Sequence, residues 1–156
     1  MILLISPFPK PEDGKTPGEK LLYYRLLHDM SQSELAEKLG FTHWGIVNLE
    51  KGLLEIYYDL AVKLGEIFHV SPNAFLDEYS RFCRPGYGKR IQMIRKSCGM
   101  TQLELSAYLG CARATVAFWE AEIGNHHPAR NKYRQLKTLA QDKGIEQSLF
   151  EEGDTL

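Results

Sequence analysis

Few of the residue types that do chemistry stand in this chain at a spacing that chemistry can use. The three cysteines, Cys83, Cys98 and Cys111, are an odd number with no CxxC pair, which fits reduced thiols rather than a disulfide framework. A zinc site would have to be drawn from Cys98, Cys111, His126 and His127, and these lack the paired spacing that tetrahedral sites use. His126-His127 is the one histidine cluster, and adjacent histidines in a polar connector are ordinarily solvated. No Gly-rich phosphate loop, GxSxG or HExxH occurs. The expectation is a protein with no catalytic residue, no metal and no cofactor, hence not an enzyme.

The chemistry that remains is electrostatic. The formal net charge of −1 hides an asymmetry. Residues 1–80 carry 7 Lys+Arg against 12 Asp+Glu, net −5, whereas residues 81–156 carry 12 against 8, net +4. Within 81–143 the acids are only Glu104, Glu120, Glu122 and Asp142, which leaves +8. Such a division signals a polyanion partner for one half, or a solvated basic face. The 44% hydrophobic and 25% charged fractions are ordinary for a globular chain. No apolar run approaches the roughly 18 residues that cross a bilayer. Met1–Ile5 is apolar but lacks a basic flank and stops at Ser6 and Pro7, unlike a secretory leader. A cytoplasmic protein with no membrane partner is expected.

Elements must place these charges, and the sequence repeats its elements. RLLHDMSQSELAEKLGFTHWGIVNLE, residues 25–50, aligns without gaps with RKSCGMTQLELSAYLGCARATVAFWE, residues 95–120. Eight of the 26 positions are identical: Arg25/Arg95, Met30/Met100, Gln32/Gln102, Glu34/Glu104, Leu35/Leu105, Leu39/Leu109, Gly40/Gly110 and Glu50/Glu120. Chance gives about one or two. Apolar positions also correspond, as in Leu21/Ile91, Tyr24/Ile94, Ile46/Val116 and Leu49/Trp119. A 70-residue offset is long for a solenoid, so two similar domains are expected rather than an array. The boundaries read as an N-terminal arm over 1–17, a first domain over 18–83, a linker over 84–88 and a second domain over 89–156. Pro85, Gly86 and Gly88 supply the linker's helix-breaking residues.

Each copy reads as short helices, an all-α fold of four to five helices per domain. Ser31 and Thr101 each precede a glutamate by three residues, Glu34 and Glu104, which is the capping-box signature. The second helix ends at Gly40 or Gly110, where a residue without Cβ adopts the left-handed turn. A third helix follows within about three residues. Leu60, Leu64, Ile67 and Phe68 mark a fourth helix, Ser71-Pro72 opens a short fifth, and a fourth helix in the second copy begins near Ala129. Met1–Ile5 is the one stretch that reads as a strand. The small Ala36 and Ser106, and inward apolar sets Leu35, Leu39, Phe41, Ile46, Leu49 and Leu105, Leu109, Cys111, Val116, Trp119, fit two helices crossing over a tight turn.

These segments, MSQSELAEKLG with IVNLEKG and MTQLELSAYLG with VAFWE, resemble the phage-repressor and Cro-type (XRE family) helix-turn-helix regulators of lambda-repressor-like fold. The resemblance covers about 18–79 and 86–152, and in the second copy AEIGNHHPAR is longer than the usual connector. It implies sequence-specific binding of double-stranded DNA by a transcriptional regulator, with the third helix of each copy in the major groove. It further implies ion pairs Arg25–Glu50 and Arg95–Glu120, base reading by His43, Trp44 and Asn48 and by Arg113, Ala114 and Phe118, and backbone contact by Gln32, Thr42, Gly45, Gln102 and Thr115. Arg113 is suited to guanine, since a guanidinium donates two hydrogen bonds to O6 and N7. Trp44 fits either a thymine methyl or a protein interface, and Phe118 either the groove or the interior. A homodimer would make a symmetric reader of unlike halves. The competing expectation is a helix-turn-helix module that binds an antitoxin-like partner or another protein regulator instead of DNA.

Overall fold

The computed structural model describes residues 15–151. Every regular element among them is helical, and the chain divides into two compact units, Met1–Ser80 and Arg81–Leu156. The expected strand at Met1–Ile5 lies outside the described residues, as does most of the expected arm. No helix among the described residues is long and apolar enough to cross a membrane.

In the first unit Thr16 caps α1 (Pro17–Leu27) in a reciprocal box with Glu19, with Pro17 at the first helical position. The helices α2 (Gln32–Leu39) and α3 (His43–Glu50) follow. Ser31 and Glu34 close the box at the start of α2, and Gly40 ends it at φ 69°. Phe41 N then donates to the Ala36 carbonyl at 2.8 Å, which closes the turn. The α4 helix (Tyr58–Phe68) and a 3-10 turn, Pro72–Phe75, complete the unit. The short fifth helix expected after Ser71 is this tighter turn. Leu21, Leu35, Ile46, Leu49, Ala61, Leu64, Phe68 and Phe75 form the buried core. Tyr24 packs on Phe68 and Phe75 with centroids at 6.2 and 5.5 Å. Phe41 departs from the inward set at 40% exposure, because it stands one residue past the left-handed Gly40, where the chain has already turned.

A short helix α5 (Glu78–Phe82) carries the chain across the division between units. The second unit continues with α6 (Tyr87–Ser97), α7 (Gln102–Leu109), α8 (Arg113–Glu120), α9 (Arg130–Asp142) and α10 (Ser148–Glu151). Thr101 and Glu104 box the start of α7, and Gly110 ends it at φ 68°. Ile91, Ile94, Leu105, Leu109, Val116, Trp119, Leu136 and Ala140 are buried. Ala129, where a helix start was expected, is the N-cap of α9. The long connector before it holds a 3-10 turn, Ile123–Asn125. From α9, Lys132 Nζ donates to the Leu109 carbonyl and Gln135 Nε2 to that of Tyr108 at 3.4 Å, so α9 satisfies the exposed end of α7.

The expected linker over 84–88 falls within the second unit. The units divide at Ser80/Arg81 rather than at Cys83, α6 has begun by Tyr87, and Arg84, Tyr87 and Gly88 are all buried. Gly86, at φ 94°, turns the chain into α6. Gly88 is inside that helix because a Cβ there would stand 2.4 Å from the Glu120 carbonyl oxygen. A Cβ on Gly18 in α1 would likewise stand 2.4 Å from Leu49 O and 2.6 Å from Glu50 O. The glycines at 18 and 88, read from sequence as a domain start and a linker residue, are packing residues of the first helix of each unit.

Candidate nucleic-acid interface

In each unit an ion pair fixes the end of the helix that follows the turn. Arg25 Nε donates to Glu50 Oε1 at 2.5 Å and Nη2 to Oε2 at 3.2 Å, while Nη1 reaches the Met30 carbonyl at 2.8 Å. Arg95 makes the same three bonds to Glu120 and Met100, at 2.6, 3.1 and 3.0 Å. The fork geometry is bidentate and the side chains are largely out of water, at 9% and 7% exposure for the first pair. Glu120 raises the Arg95 pKa through its hydrogen bonds. One guanidinium thereby ties the first helix, the turn before the second and the end of the third.

Gln32 and Gln102, expected on a phosphate backbone, are turned inward onto these pairs. Gln32 Nε2 donates to Glu50 Oε2 at 2.8 Å, and Gln102 Nε2 to Glu120 Oε2 at 3.1 Å. Each half-buried amide is therefore a third member of the buried network. The physical reason is the second carboxylate oxygen, which has a further lone pair to satisfy once the guanidinium is bound.

Anchored in this way, α3 and α8 each bury one face and present the other. On α3, Ile46 and Leu49 are buried, whereas His43 and Trp44 are exposed, Trp44 by 70%. Asn48 is half-buried one turn further on, and its carbonyl accepts from Leu53 N at 2.9 Å. On α8, Val116 and Trp119 are buried, and Arg113, Ala114 and Phe118 are exposed. Phe118, at 52% exposure, is therefore outside the core, which decides one of its two alternatives. Thr42 Oγ1 accepts from Gly45 N at 3.1 Å as the N-cap of α3. Gly45 and Thr115 are half-buried third residues of their helices, and Thr115 N turns back to the Ala112 carbonyl at 3.0 Å.

Sequence reading missed Ser33, whose Oγ stands 3.4 Å from Nδ1 of His43. It also missed Gly18 and Gly88, although these repeat at the offset of the alignment, just before its first residues. Lys132 lies in α9, outside the aligned repeat, and no sequence signal marked it.

A family described as helix-turn-helix matches residues 21–75, a span that runs from the middle of α1 through the 3-10 turn. An uncharacterized HTH-type transcriptional regulator of Methanocaldococcus jannaschii is 43% identical over 51 residues, which are 33% of this chain and 77% of that protein. The chain belongs to the helix-turn-helix family. No solved structure matches it. Helix-turn-helix proteins present the helix after the turn to their ligand, and here that helix is α3, whose exposed residues are the ones just described. The match lies in the first unit; α7 and α8 carry the same capping box, left-handed glycine and ion pair 70 residues later.

Proposed function

We propose that this protein is a transcriptional regulator that binds double-stranded DNA sequence-specifically, with two tandem helix-turn-helix domains whose α3 and α8 enter the major groove. The observation that carries the reading is the exposed start of α3, Thr42, His43 and Trp44, on a helix whose far end is tied down by Arg25 and Glu50. Family membership and the relative's description as a transcriptional regulator support it. The second domain adds Arg113 at the start of α8 and the +8 stretch over 81–143. His43, Trp44, Asn48, Arg113, Ala114 and Phe118 are the base-facing set, and Thr42, Gly45 and Thr115 flank the sugar-phosphate edge. Gln32 and Gln102 support α3 and α8 through the ion pairs. The reading gives the protein no catalytic role and a place in the cytoplasm.

A second reading is favoured by one observation. Trp44 is joined by Phe41, Leu53, Leu54 and Tyr57 among the exposed large apolar residues of the first unit, a composition suited to a protein partner. In that reading the first domain pairs two copies or docks a protein regulator, and the second alone binds DNA. Selection of bound sequences from a random duplex library at about 0.15 M salt, where nonspecific attraction is weak, tests both. An enriched motif with two unlike halves supports reading by both domains. One half-motif, or its palindrome, supports the second reading, and no motif from folded protein overturns DNA reading altogether.

A further inference from the structure

We propose that Ser33 is a positioning residue that selects the tautomer of His43 and thereby the base edge that α3 accepts; this rests on α3 being a DNA-reading helix. Ser33 is the second residue of α2 and His43 the first of α3, and Ser33 Oγ lies 3.4 Å from His43 Nδ1. The neighbouring polar side chain, Gln32, is committed to Glu50, so the serine hydroxyl is the α2 group that addresses the imidazole. Trp44 bounds the ring on another side, edge to face at 75° with centroids 5.6 Å apart. With Nδ1 engaged, Nε2 is the nitrogen left for a ligand.

A neutral imidazole carries one proton, and its two nitrogens take opposite roles. The imidazole nitrogen is more basic than a hydroxyl oxygen, so the stronger arrangement has Ser33 O–H donating to Nδ1. The ring proton then sits on Nε2. An Nε2–H donor matches N7 of either purine, O6 of guanine or O4 of thymine, whereas an Nε2 acceptor would match only the amino groups of adenine or cytosine, so the tautomer separates guanine and thymine from cytosine. The second unit supplies an internal comparison. At the place of Ser33 it has Leu103, 62% exposed, and at the place of His43 it has Arg113. A guanidinium only donates and has no tautomer to select; the hydroxyl accompanies the residue that needs one.

The test uses the full chain and its Ser33→Ala and Ser33→Thr variants. Long-range nitrogen–proton correlation spectra of the neutral ring report the tautomer without DNA. Duplex selection reports the base preference. The expected result is an Nε2–H ring in the parent and in Ser33→Thr. In Ser33→Ala the ring shifts toward a mixture, and discrimination at one base position weakens roughly three- to tenfold, the value of about one hydrogen bond. An Nδ1–H ring in the parent overturns the inference. So does an enriched motif whose preference, with the ring nitrogens, is untouched by Ser33→Ala. A ring that responds in a parent selecting no motif overturns the specificity role together with the DNA reading, and so separates the two failures.

Discussion

Arg113 and Arg25 are the same residue type put to opposite uses, and their surroundings show why. Arg113 opens α8 in solvent, where the helix dipole gives a cation no help. Its substitution should leave stability nearly unchanged and act on ligand binding. If it reads guanine, Arg113→Ala weakens binding by about 1–3 kcal/mol, concentrated at one base pair, as comparison of single-base operator variants would reveal. A uniform loss across sequences would make it a phosphate contact. Arg25 instead spends its donors on Glu50 and the Met30 carbonyl. Removing it strands a carboxylate at 7% exposure, with Gln32 as its remaining side-chain donor. Arg25→Ala should cost about 3–5 kcal/mol in denaturant unfolding. A loss below about 1 kcal/mol would mean that water reaches the pair and screens it.

At the scale of elements, the first helix of each unit approaches the end of the third so closely that only glycine fits. Gly18→Ala and Gly88→Ala would each place a methyl inside 2.5 Å of a backbone carbonyl oxygen. The helix propensity gained from alanine is at most about 1 kcal/mol, and forcing the helices apart costs about 1–3 kcal/mol or more. Both variants should therefore be destabilised in urea unfolding; a more stable alanine variant would show that the crossing is loose. Most element boundaries were legible because they are made by local chemistry. Ser31 with Glu34, Thr101 with Glu104, and the left-handed Gly40 and Gly110 announce helix ends within a few residues. The exposure of Phe41, the packing of Gly88 and the Gln32–Glu50 bond were not legible because they depend on contacts with residues distant in sequence. Turn direction, helix crossing and a carboxylate's spare lone pair leave no periodic trace. The exposed residues of α3 and α8 were legible as positions, whereas the hydroxyl beside His43 became visible only when α2 and α3 were brought together.

Across the whole molecule the two units repeat one framework under different surfaces. The acidic balance of residues 1–80 and the basic balance of 81–156 sit on the same ion pair, box and turn. Each unit has its own buried core. Calorimetry of the full chain should therefore resolve two transitions, with Arg25→Ala lowering one and Arg95→Ala the other. A single transition that moves as a whole in both variants would show that the units melt together.

The frameworks differ where α3 and α8 begin. Thr42 closes the first turn of α3 with its hydroxyl, whereas Ala112, at the corresponding place before α8, has no side-chain cap. Threonine at such a position is worth about 0.5–2 kcal/mol over alanine. The first turn of α8 should open more often than that of α3, and its amides should exchange with deuterium sooner in the free protein. The start of the helix after the turn is thus the softer one in the more basic unit and the firmer one in the acidic unit. Ala112→Thr should slow that exchange and bring the start of α8 level with that of α3.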